Sequence, residues 1–174
     1  MGDLLINPNG RIARNRFWQG MVILTVASVL VSAAVWLVNP LFDFLSLALI
    51  FPYICVYGKR LHDIGQSAWW VIAIWFAVVI IQVVLFLVLL FTIMPAMMSP
   101  EQKEIWQEVL RLSEKGDTNE AVRGFELLME ETQGLIQRML LLVMVAANAI
   151  MAVIIGLIKT EPRENKHGPV PMDA

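Results

Sequence analysis

The stretch VIAIWFAVVIIQVVLFLVLLFTIMPAMM, residues 71–98, carries no charge, and its only polar side chains are Gln82 and Thr92. A helix of roughly 20 apolar residues crosses the hydrocarbon core of a bilayer, so an uncharged run this long reads as a membrane span. Whole-chain composition agrees. Of the 174 residues, 58% are hydrophobic and 16% charged, whereas a soluble domain is about half apolar and about a quarter charged. An ordinary soluble enzyme, a disordered chain and a nucleic-acid-binding domain are thereby excluded. The single cysteine, Cys55, leaves no intrachain disulfide and, within an apolar run, reads as a small buried hydrophobe.

Three further apolar segments accompany the first. Residues 17–38 and 41–57 are separated by Asn39-Pro40, which predicts a tight helical hairpin. The third span then covers about 68–98, longer than a bilayer requires and too short for two crossings, so it should tilt or project. The fourth covers about 139–158. The run at 17–38 exceeds a signal-peptide core of about 7–15 residues and follows a polar arm, so it reads as an uncleaved anchor. The fold class expected is all-α: a four-helix transmembrane bundle with a short extramembrane helical hairpin over 99–135 between spans three and four, and a tail over 159–174.

Charge sets the orientation. With four spans, both termini share a side with the 58–67 connection. That side carries Arg11, Arg14, Arg16, Lys59, Arg60, Lys159, Arg163 and Lys166 against five acids; the other carries five basic residues against ten acids. Lys and Arg near span ends favour the cytoplasm, so both termini are expected there, in a bacterial inner membrane. Trp18, Trp36, Tyr53, Tyr57, Trp69 and Trp70 fall near proposed span ends, where amphipathic rings favour the headgroup layer. Trp75, about a turn deeper, reads as a packing residue.

In the insert, Ser99-Pro100-Glu101-Gln102 has the spacing of a capping box with proline at the first helical position. Ile105, Val109 and Leu112 form an apolar stripe, Gly116-Asp117 breaks it, and Ala121, Val122, Phe125, Leu128 and Met129 form a second. The stripes are expected to pack on each other or lie on the outer leaflet; a docking surface for an envelope protein is the sharper alternative.

Three polar segments stand out on the side expected to be cytoplasmic: NGRIARNRFW (9–18), KRLHDIGQSAWW (59–70) and NKHGPVP (165–171). Together they resemble the family catalogued as domain-of-unknown-function 805, small bacterial inner-membrane proteins without an assigned activity. The matching positions are Gly10, Arg11, Arg14, Phe17 and Trp18, then Arg60, Leu61, His62, Asp63, Gly65, Ser67, Trp69 and Trp70. Asn165, Lys166, Gly168, Pro169 and Pro171 complete the set. Lys59, Ala68 and His167 depart from the family pattern, which has arginine, glycine and tyrosine there. The resemblance implies location and topology but no activity.

The same residues have a physical reading. Ser67 can cap the third span, Gly65 supplies the turn, and Arg60 and Asp63 are spaced to pair on a helical turn. His62 beside Asp63 invites a catalytic reading, but adjacent side chains diverge and no nucleophile is visibly partnered with them. A metal held by His62, His167 and Asp63 would need two distant segments to converge, and a Cu(I) site at Met94, Met97 and Met98 is less economical than gap filling. No catalytic residue, metal or cofactor is expected. Arg11, Arg14, Arg16, Lys59, Arg60 and Lys166 instead suggest a basic collar on anionic lipid, each gaining about 1 kcal/mol near such a leaflet. Gln82 and Asn148, near mid-bilayer, are expected to face other helices and hydrogen-bond there. Pro52 should kink span two at the carbonyl of Ala48.

These readings favour a non-enzymatic scaffold or accessory subunit contacting membrane lipid or an envelope partner through 99–135, with no nucleic acid and no oligomeric state specified. A small-molecule transporter or channel component is the alternative. A lipid-headgroup enzyme using His62 and Asp63 comes third.

Overall fold

The computed structural model describes residues 2–171, and the chain is all-α. A short helix α1 (Gly2–Ile6) precedes α2 (Arg14–Leu37). A 3-10 turn over Pro40–Asp43, capped by the Asn39 side chain on the Leu41 amide, leads into α3 (Phe44–Asp63). Then follow α4 (Trp70–Val88), a π-helical turn over Leu89–Ile93, α5 (Met94–Met97), α6 (Pro100–Glu114) and α7 (Thr118–Leu157). Among the described residues, four segments are long and apolar enough to cross a membrane: Arg14–Leu37, Pro40–Asp63, Trp70–Met97 and Thr118–Leu157.

The boundaries differ from the sequence expectation in three places, each for a local reason. The second span does not stop at Tyr57; α3 continues to Asp63, so most of the expected 58–67 loop is helix. The second helix of the 99–135 hairpin and the fourth span are one uninterrupted helix of 40 residues. Between them the chain holds helix formers such as Glu130, Glu131, Leu135 and Gln137, and Thr132 turns its hydroxyl inward onto the Leu128 carbonyl instead of breaking the ladder. The third span passes Pro95 by widening: the Leu89–Ile93 turn is π-helical, and the Met94 amide donates to the Leu89 carbonyl, five residues back. Proline removes a backbone donor and clashes with the preceding turn, and the wider turn accommodates both.

The chain divides into two compact units, one formed by the chain up to Ile81 together with that from Val145 onward, the other by Gln82–Met144. In the first, Phe17, Met21 and Leu24 of α2 meet Val56, Tyr57 and Leu61 of α3, with Val71, Ile74, Met151, Ala152 and Ile155 completing the core. Phe17 is fully buried, edge-on to both Trp18 and Tyr57. Gly20 permits α2 to lie close to α3, since a Cβ there would stand 3.0 Å from the Val56 methyls. In the second unit, Met94, Met98, Leu128, Ile136 and Met139 form the core, with Ile105 and Trp106 of α6 against it. Met94 and Met98 are therefore core side chains, whereas Met97 is exposed.

The outward faces are apolar. Ile72, Phe76, Val79, Ile80, Val83 and Val84 of α4 are all more than half exposed, an arrangement suited to hydrocarbon and costly in water. Trp75 is also exposed, at the edge of an apolar groove of 290 Å³ between α3 and α4, so it is not the core packing residue its depth suggested.

Candidate functional site

The motif residues meet because α3 runs on past Tyr57. That extra helical turn sets Arg60 and Asp63 on one face, three residues apart. Gly65, at φ +78, then ends the helix: its amide donates to the His62 carbonyl (3.2 Å) and the Gln66 amide to the Leu61 carbonyl (2.8 Å). This is the paired Schellman closure, which requires a left-handed residue and so favours glycine. Past it, the Trp69 amide lies 3.4 Å from the Ser67 hydroxyl at the start of α4.

The carboxylate of Asp63 is the centre of the site and is fully buried. Its Oδ2 accepts from Arg60 at 2.5 Å and from the Thr160 hydroxyl at 2.8 Å; its Oδ1 accepts from Arg11 at 3.3 Å. Each guanidinium has further work. Arg60 donates to the Gly156 carbonyl (3.4 Å) and to that of Ile158, at the end of α7. Arg14 donates to the Leu157 carbonyl (3.2 Å). Two cations thus satisfy carbonyls that a helix C-terminus leaves without partners and that carry its partial negative charge. Arg11 gathers the chain beyond α7, donating to the carbonyls of Glu161 (2.7 Å), Arg163 (2.8 Å) and Gly168 (3.3 Å).

The third motif folds back onto the second. Asn165 and Gly168 form an isolated antiparallel bridge, and the Asn165 amide donates to the His62 carbonyl (3.0 Å) and the Glu161 carboxylate (2.7 Å). His167 stacks on His62 with ring centroids 3.8 Å apart and planes 8° from parallel. His62 Nδ1 lies 3.0 Å from the Gly10 carbonyl. All three sequence motifs therefore occupy one end of the first unit.

Most of the expected site residues are brought together here, and three of the six expected collar residues are enclosed by protein. The side chains of Arg11, Lys59 and Arg60 are at most 1% exposed, and Lys59 is spent on the backbone carbonyl and carboxylate of Asp3. That corrects the basic collar at these three residues: a cation enclosed by a carboxylate and backbone carbonyls does not reach headgroup phosphate. Arg14, Arg16 and Lys166 stay exposed at the surface, as do Trp69, Trp70 and Pro169. Leu61 and Phe17 are core; Gly10, Trp18, Ser67 and Pro171 are half-buried. Gln82 and Asn148 are half-buried on α4 and α7, and Ser28 hydrogen-bonds Tyr53.

The chemistry of the arrangement follows. His62 and Asp63 do not form a dyad, because the carboxylate faces Arg60, Arg11 and Thr160 while the imidazole faces Gly10 and His167. The two histidines do converge, yet parallel stacked rings hold their in-plane lone pairs side by side, not aimed at a common ion. Among the described residues no three His, Cys, Asp or Glu side chains group as metal ligands. Sequence reasoning overlooked Thr160 and Glu161, which hold Asp63 and Asn165; the one available signal was their place immediately after the last apolar run. It also overlooked Gly156, where a Cβ would stand 2.7 Å from the Trp18 ring.

A family model described as "Protein of unknown function (DUF805)" matches residues 5–102. That match takes in the first two motifs and the first three spans. No curated protein and no solved structure matches the chain.

Proposed function

The chain belongs to the DUF805 family, and on that premise we propose that it is a non-enzymatic integral component of a bacterial cytoplasmic membrane, a scaffold or accessory subunit with both termini in the cytoplasm. One observation carries the reading. The polar motif residues that would do chemistry in an enzyme are consumed by one another: Arg11, Arg60, Asp63 and Thr160 close a buried network, and Asn165 closes the tail onto it. A network of this kind fixes the mutual position of helix ends. It leaves the outward faces of the spans and the 99–135 hairpin for contact with lipid or with another membrane protein.

The inner-membrane placement and orientation rest on the charge distribution, with basic residues concentrated on the side of the termini and acids in the 101–131 insert. Small-molecule transport is the competing reading, and a buried ion pair is the feature that speaks for it. Here that pair sits at helix ends, with its carboxylate already holding three partners, and so provides no path along a span. The test is cross-linking in native membranes followed by identification of the linked proteins. A defined envelope or membrane partner is expected; a chain that links only to lipid, with uptake or efflux of a solute lost on deletion, would replace the scaffold reading with transport.

A further inference from the structure

We infer that the segment 162–168 is an acid-released strap, docked on the end of α3 while His167 is neutral and detached once that imidazole takes up a proton. The strap crosses the site already described, but its release depends on no particular partner or activity of the protein.

The geometry supplies the switch. The rings lie 3.8 Å apart and nearly parallel, a stacking contact that holds His167 against the end of α3. His62 Nδ1 faces the Gly10 carbonyl oxygen, which can only accept, so that nitrogen carries the hydrogen and the ring on which His167 stacks is fixed in place. His167 Nε2 is buried and has no hydrogen-bond partner. A proton added there would create a charged donor with nothing to receive it.

The charged surroundings act in the same direction. Burial first, then His62 on α3, Lys166 on the strap and Arg11 from the N-terminal arm, hold the His167 pKa below its ordinary value, while Glu161 acts the other way. The docked strap therefore binds protons less readily than the released one. Docking is complete above the ordinary histidine value of about 6.5 and is lost as pH falls through and below it. The strap's other attachments, Asn165 to the His62 carbonyl and Arg11 to the carbonyls of Arg163 and Gly168, involve no histidine side chain. Release takes two carbonyl partners from the Arg11 guanidinium, those of Arg163 and Gly168, and leaves it on Asp63 and Glu161.

The experiment places a nitroxide spin label on Glu164→Cys in the full-length protein, in nanodiscs of phosphatidylethanolamine and phosphatidylglycerol. Glu164 is exposed and makes none of the strap's contacts described above, and Cys55 is fully buried. The expected result is an immobilised spectrum at pH 8 and a mobile one at pH 5.5. In His167→Phe, which keeps a stacking ring and removes the titration, the label should stay immobilised at both. No change in the wild-type spectrum overturns the inference, and so does an equal change in His167→Phe. If His167→Phe is mobile at every pH, the ring resonances of wild-type His167 decide by NMR: a midpoint that coincides with the mobility transition sustains the strap, and a midpoint displaced from it overturns it.

Discussion

Arg60 and Asp63 meet at 2.5 Å on the last turn of α3 with neither side chain exposed, and that one carboxylate also receives Arg11 from the N-terminal arm and Thr160 from beyond α7. Three segments remote in sequence are thereby joined through a single side chain. Two buried cations against one buried anion is a favourable arrangement only because the carbonyls of Gly156, Ile158, Glu161, Arg163 and Gly168 supply the remaining negative potential.

Removing the anion should therefore cost more than removing either cation. Asp63→Ala leaves Arg11 and Arg60 buried without a counter-charge and should destabilise by about 3–5 kcal/mol, the range for breaking a buried pair. Arg60→Ala leaves Asp63 with Arg11 and should cost less. Thermal unfolding of the purified protein in detergent gives the order; an Asp63→Ala variant as stable as wild type would remove the central role assigned to this carboxylate.

Gly156 sits where α7 passes Trp18. A Cβ would stand 2.7 Å from Cζ2 of that indole and 3.3 Å from the Phe17 ring, and Phe17 is fully buried and cannot swing aside. Gly156→Ala should destabilise by about 1–3 kcal/mol through overpacking, and Trp18→Leu should recover part of the loss. Equal melting midpoints for the three proteins would contradict the close approach.

Ser99 and Gln102 form a reciprocal capping box at the start of α6, with the Gln102 amide on the Ser99 hydroxyl (3.2 Å) and the Ser99 amide on the Gln102 side chain (3.0 Å). Ser99→Ala should cost about 0.5–2 kcal/mol. The loss should be local, with faster amide exchange in the first turn of α6 and unchanged exchange at Arg60–Asp63. Uniformly faster exchange across both units would mean that the cap supports more than its own helix.

Topology is tested with single cysteines at exposed positions. Lys115→Cys lies at the end of α6 and Lys166→Cys in the tail, both outside the four apolar segments. With the termini cytoplasmic, a membrane-impermeant maleimide added to intact cells should label Lys115→Cys and should reach Lys166→Cys only after lysis. The reverse pattern would invert the proposed orientation.

Legibility differed from residue to residue. The Ser99 cap and the Arg60–Asp63 spacing could be read directly, because both depend on residues three apart on one helix. The continuity of α7 was harder: a change from amphipathic to wholly apolar pattern resembles a boundary, although nothing at Glu130–Arg138 breaks a backbone hydrogen bond. The π turn before Pro95 was not anticipated, since proline announces that the ladder must adjust without specifying how.

By itself the sequence determined that this is an all-α protein with four helices able to cross a membrane, where most of those helices begin, and where its few charges gather. Periodicity, capping and apolar length act over a few residues and leave their mark there. The fate of those charges was decided only in the tertiary structure. Whether Arg11 and Arg60 face lipid phosphate or an internal carboxylate depends on Asp63, Thr160 and the end of α7 arriving at the same place. A charge is buried when partners from distant parts of the chain replace its water, and only the folded arrangement brings Arg11 to within hydrogen-bonding distance of residues 52 to 157 positions away.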